Sequence, residues 1–239
     1  MLELSENLSI REFRLEASYT AARLAAAAES TGLAGEHSNA AEKLAELEAE
    51  GASLDVAKTQ TQAMVEIADD AWDEVALAFQ RKLLELSGGS VDHELYRRYF
   101  AEIPSQLTRL SYQAEIMISK DLEEDLEGET QDELSAYGAK LEVSRHGLEA
   151  ALRERTRLEV EGAKYQNRVA LAKQLVNRLR RSTWSDLVEL AGERGEPWAL
   201  RFFRQENAVL DAVDADGIAP STRPQTSRPM SVVAPHHTD

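Results

Sequence analysis

The stretch Asp121–Glu133, reading DLEEDLEGETQDE, places eight carboxylates in thirteen residues around a single glycine. The chemistry such a stretch could do is divalent-cation binding. A calcium loop of the EF-hand type needs oxygen ligands at alternate positions, glycine at the sixth and a bidentate glutamate at the twelfth. Counting from Glu123 puts Asp125, Glu127 and Gly128 at positions three, five and six. Position twelve is then Leu134, with Glu133 one residue early, and the first position holds Glu where Asp is usual. Leu134 also opens an apolar repeat that belongs to a core. The sequence therefore predicts a hydrated acidic turn between two helices.

Other site chemistries fail on spacing. A di-metal carboxylate bundle needs Glu-x-x-His on two of its helices. The positions three residues before His37, His93 and His146 hold Ala34, Ser90 and Val143. There is no Gly-x-Ser-x-Gly elbow and no His-Glu-x-x-His, and the "SGGS" at 87–90 lacks the lysine of a phosphate-binding loop. The chain has no cysteine, which excludes thiolate ligands, thiolate nucleophiles and disulfides. The expectation is a non-enzymatic protein with no catalytic residue, no cofactor and no metal.

What positions these residues is helix. Glycine-containing breakers at 31–38, 86–93 and 126–130 divide the chain into about four helical segments, roughly 4–31, 38–87, 92–126 and 130–181. The second carries a 3,4-spaced series, Leu44, Leu47, Gly51, Leu54, Lys58, Thr61, Val65, Ala68, Trp72, Val75, Phe79, Lys82 and Leu86. The fourth runs Leu134, Tyr137, Leu141, Ser144, Leu148, Ala151, Arg155, Leu158, Gly162, Tyr165, Val169, Ala172, Val176 and Leu179. A 3.5-residue period held this long predicts supercoiled helices, and short turns between them make neighbours antiparallel. Shorter stripes occupy the first segment (Ile10, Phe13, Ala17, Leu24, Ala28) and the third (Tyr96, Phe100, Ile103, Leu107, Leu110, Ala114, Met117), with Pro104 kinking or restarting the third helix.

Polar and small residues interrupt the seams. Lys58 and Lys82 are expected to lead their charges out to water along their aliphatic stems. Arg155 and Gly162, surrounded by apolar neighbours, are the candidate register-setting positions, because a polar core residue fixes alignment at a cost in stability.

Beyond Arg181 the pattern changes. "STWSDLVELAG" reads as a new short helix with Thr183 as N-cap and Asp186 three residues on, and a second short helix follows with Pro197 near its first turn. Trp184, Trp198, Arg201, Phe202 and Phe203 crowd this appendage, with Arg204 beside them. They form either a dock onto the bundle end or a partner-binding surface, since such side chains are enriched at interface centres. Residues 220–239 hold four of the six prolines and read as a disordered tail.

Net charge is −16 and unevenly placed. Residues 1–139 hold 11 Lys/Arg against 29 Asp/Glu, and residues 140–181 hold 11 against 5. The acidic total disfavours nucleic acid and anionic membrane as partners. The basic run at 172–182 has no aromatic stacking platform and complements its own helix dipole. No apolar run approaches a membrane span and no secretory leader opens the chain, so cytoplasmic placement is the default, with signal-less export as the alternative.

The resulting expectation is an all-α, elongated antiparallel helical bundle over 1–181, a short two-helix appendage over 182–212 and a disordered tail over 213–239. Its expected function is scaffolding through helix–helix association with protein partners or with itself. A membrane-associating or pore-forming bundle and an exported assembly component are the alternatives.

Overall fold

The computed structural model describes residues 3–100 and 110–204, and every regular element among them is a helix. The helices are α1 (Ile10–Ala25), α2 (Ala34–Leu86), α3 (Glu94–Phe100), α4 (Tyr112–Glu127), α5 (Asp132–Ala191) and α6 (Gly195–Leu200). The all-α antiparallel bundle follows from the sequence pattern. Pro104 and the tail lie outside the described residues.

Local chemistry explains most of the boundaries. The Ser9 hydroxyl accepts from the Glu12 amide, and the Glu12 carboxylate accepts from the Ser9 amide at 2.6 Å, which closes a capping box on α1. Ser111 caps α4 through the Ala114 amide. At the end of α2, Gly88 and Gly89 both take positive φ, and the Gly89 amide donates back to the Leu84 carbonyl at 2.7 Å. The turn between α4 and α5 is only Gly128–Gln131, so that of the acidic stretch Asp121–Glu127 belong to the end of α4 and Asp132 and Glu133 to the first turn of α5.

Two boundaries differ from the sequence reading. The expected turn over 31–38 instead spans 26–33, closing with a 3₁₀ turn at Thr31–Leu33, so α1 stops at Ala25 and α2 starts at Ala34 and includes His37. The expected break after Arg181 is absent, because α5 continues without interruption for 60 residues to Ala191. Thr183 is therefore not an N-cap. Its hydroxyl bonds to His37 of α2 at 2.9 Å, a partner 146 positions away that outweighs the local capping signal. The helix ends instead at Gly192, whose φ is +53°.

At 53 and 60 residues, α2 and α5 are about 80 and 90 Å long at ~1.5 Å per residue. Every position of the fourth-segment series is buried or half-buried on α5. On α2 the series holds from Leu44 to Phe79, except that Lys58 reaches water, and then drifts. Ala76 and Leu83 turn inward beyond Trp72, whereas Leu86 is exposed. The drift follows from the 3.6-residue turn where more than one neighbour must be packed.

Separate cores occupy the two ends. At one, α1 and α6 pack on α2 and α5 through Phe13, Leu24, Leu44, Val176, Leu187 and Phe203. At the other, α3 and α4 enclose Trp72, Phe79, Tyr99, Leu122, Leu134 and Leu141. None of the buried apolar clusters takes a residue from 45–64 or 153–171. Apart from the Arg14–Glu48 and Arg155–Tyr112 contacts at its two edges, this waist is α2 against α5 among the described residues. It closes over small side chains: Gly51 lies under the Tyr165 ring, and Gly162 leaves room for the Lys58 ammonium.

Candidate functional site

The waist has two missing neighbours on one side. Glu48, which pairs with Arg14 of α1, and Asp73, which faces Glu115 of α4, lie 25 residues apart on α2. That interval is about seven helical turns, so α1 and α4 lie on the same side of the α2/α5 pair, end to end. Between them is an open cleft of about 580 Å³, lined from α2 by Lys58, Thr59, Gln62 and Glu66 and from α5 by Arg155, Leu158 and Glu159. Cations and anions alternate around it.

Arg155 sits at the rim of the cleft rather than in the seam. It is 38% exposed, its guanidinium lies 5.6 Å from the centre of the Tyr112 ring, and its ion pair with Glu159 is loose at 3.9 Å. Gly162 is buried in the seam beneath Lys58. Both expected register positions therefore belong to the waist, one as a small contact and one as a cleft wall.

The aromatic residues of the appendage pack inward. Phe202 and Phe203 are buried against Leu24, Leu187 and Ala199, with Trp184 and Trp198 half-buried around them. Trp198 and Phe202 meet edge-to-face at 4.8 Å, and the Arg180 and Arg194 guanidinium groups cap Phe203 and Trp198 at 4.9 and 3.9 Å. Arg201 is exposed, and its carbonyl accepts from the Arg23 side chain. Of this constellation, the outer edges of the two tryptophans and Arg201 are what a partner can reach.

Three of the eight carboxylates of the acidic stretch are engaged within the chain, and Asp121, Glu124, Asp125, Glu127 and Asp132 are exposed. Glu129 accepts from the Tyr99 hydroxyl at 2.5 Å and from the amides of Thr130 and Gln131, which hold its carboxyl below the ordinary range. Lys82 bridges Glu133 at 2.5 Å, and Glu123 receives a bidentate guanidinium from Arg145. Among the described residues no group of three or more His, Asp or Glu has the arrangement to hold a metal ion.

Three buried polar groupings were not anticipated from sequence. His37 is 0% exposed and bonds only through Nε2, to Thr183; burial, then the charge of Arg180, lowers its pKa to about 4 and keeps it neutral. A His–Thr pair without solvent or substrate access is a packing device. Arg145 of α5, beside the apolar stripe, joins Glu123 of α4 to Glu149 at 2.7 and 3.2 Å. Asp69, Asp73 and Glu115 bring three carboxyls together between α2 and α4. None of these residues lies on the apolar series read from the sequence.

Comparison with family models, with curated proteins and with solved structures finds no match. No described helix is long and apolar enough to cross a membrane.

Proposed function

We propose that the protein is a non-enzymatic helix–helix interaction or scaffolding protein. Its waist receives a helix from a protein partner, which a second copy of the chain can supply. The observation that carries this reading is the interrupted third-helix position. Two end bundles are completed by α1 and α4, while the α2/α5 seam between them has no third helix among the described residues. Exposed aliphatic side chains lie on or beside this stretch outside the cleft itself, with Val56, Met64 and Ile67 of α2 and Val160 of α5 50–67% exposed. Exposed aliphatic side chains clustered on one segment mark an association surface more often than singly scattered ones. The alternating charges of Lys58, Glu66, Arg155 and Glu159 suit an incoming helix with complementary i, i+4 pairs.

Size-exclusion chromatography with light scattering, with circular dichroism on the same sample, tests self-association. The expected outcome is a strongly helical species whose mass rises with concentration above the 26.5 kDa of one chain. A strongly helical monomer at every concentration overturns self-association and leaves only a different protein as the partner. Charge reversal at Lys58 and Arg155 together should weaken association without altering helix content.

A further inference from the structure

We propose that α4 is held against α2 by a proton shared in the Asp69–Asp73–Glu115 cluster, so that rising pH releases the start of α4 and uncovers an apolar groove. This inference concerns regulation of the fold and does not depend on the scaffolding reading.

The geometry begins with α2. Asp69 and Asp73 stand one turn apart, on the face that receives α4, with Trp72 fully buried beside them. Glu115, in the first turn of α4, is brought against them and is 2% exposed. One oxygen on each of the three carboxyls is buried without a hydrogen-bond partner, as is the Trp72 indole N–H. Three ionised carboxylates in one dry contact would repel without compensation.

Among the described residues no cation relieves them. On α2, the neighbouring charged groups are Glu66, which accepts from Gln62, and Asp70, which adds further negative charge beside Asp73. On α4, Lys120 reaches away to Glu149 and Glu123 belongs to Arg145. From α5, the residues at this level are Leu148, Ala151 and Leu152. The nearest α5 cations are Arg145, held by Glu123 and Glu149, and Arg155, at the Tyr112 ring and Glu159. Glu102 and Arg109 lie outside the described residues.

A proton does what a cation would. Burial, then hydrogen bonding to Asp69 and the charges of Asp69 and Asp73, push the Glu115 carboxyl up to about 8. Burial, then the charges of Asp69 and Asp70, also raise Asp73. A carboxyl raised on docking stabilises the docked state fully below its ordinary pKa, and that contribution is lost as pH rises through the folded value. Between about pH 5 and pH 9, opening of α4 therefore becomes progressively easier. The surface uncovered is apolar, with Ile116 on the leaving helix and Val65 and Leu148 on the pair it leaves.

Hydrogen exchange read by mass spectrometry on the full chain tests this. Wild type and Glu115→Gln are compared at equal pH, so that the intrinsic pH dependence of exchange cancels. The expected result is that exchange of α4 amides, wild type relative to variant, rises at least tenfold between pH 5 and pH 9 and then levels off. The ratio for α1 amides should stay constant across the same range. A pH-independent α4 ratio overturns the proposal, as does an equal rise in α1. Should Glu115→Gln lose its helix content, Asp73→Asn provides the second variant. Removing one of the repelling charges lowers the pKa that Glu115 has in the docked state, so the rise in α4 opening must shrink and level off at lower pH, and an unchanged rise overturns the proposal.

Discussion

The two ends of the bundle bury polar groups of opposite kind. At the α1 end the buried polar groups include His37, Thr183 and Arg180, the last paired with Glu16 at 3.4 Å. At the α4 end they include Glu115 with two aspartates beside it. Each end is packed around aromatic rings, so apolar burial does not distinguish them. What differs is which charge state the packing tolerates. The first end excludes an extra positive charge and the second excludes an extra negative one. One chain thereby gains two ends that weaken at opposite extremes of pH.

The largest effects should come from the aromatic anchors, and they test whether the ends are independent. Phe79→Ala and Phe202→Ala should each cost about 3–5 kcal/mol, as large-to-small core substitutions do. Hydrogen exchange should show each one loosening its own end. Loss of protection at both ends from either change would break the comparison. Phe202→Ala also separates docking from recruitment, because a ring reserved for a partner would leave the thermal midpoint nearly unchanged.

Arg145→Met comes next. It leaves Glu123 and Glu149 half-buried without their shared cation, a defect of about 3 kcal/mol by the cost of breaking a buried ion pair. Adding Glu123→Gln should recover part of that loss in chemical denaturation. A third effect of similar size depends on pH. A histidine whose pKa falls on folding stabilises above its unfolded value of about 6.5 and loses that contribution as pH drops toward its folded value of about 4. Acidification across that window should weaken the α1 end by about 3 kcal/mol, at ~1.4 kcal/mol per unit, while firming the α4 end. His37→Leu should abolish the acid-side loss in urea titrations run between pH 7 and pH 4.

The smallest effects belong to the waist and should differ in sign. Gly162→Ala meets only the flexible end of Lys58, so the gain of about 1 kcal/mol from alanine in a helix interior should largely survive. At Gly51 the added methyl meets the half-buried Tyr165 ring, 2.8 Å from its Cζ, and Gly51→Ala should be neutral or destabilising by thermal melts. Equal gains at both would mean that Tyr165 does not key into Gly51.

The long helices and their seam were legible because a 3.5-residue apolar repeat is written locally and both partners carry it. The acidic turn was legible for the same reason, since Leu134 could not be both ligand and core. Thr183 misled because its capping-box spacing is a local signal, whereas its hydroxyl partner is on another helix. Gly32 and Gly35 suggest a turn reaching His37, yet neither has positive φ. The carboxyl cluster was invisible for a different reason. Asp69, Asp73 and Glu115 look like three more acids in an acidic chain until α4 is laid beside α2.

The unbroken α2/α5 pair also acts as a ruler. His37 and Trp72 mark the two ends on one continuous helix, 35 residues and about 52 Å apart at ~1.5 Å per residue. Length and twist are coupled along such a rod. Excising seven residues from each helix at the waist would draw the ends together by about 10 Å and rotate them by only ~20°, because seven residues nearly complete two turns. Excising four would shorten the rod by about 6 Å but swing one end through ~40°. Any partner that touches both ends is thus read against both a fixed span and a fixed azimuth.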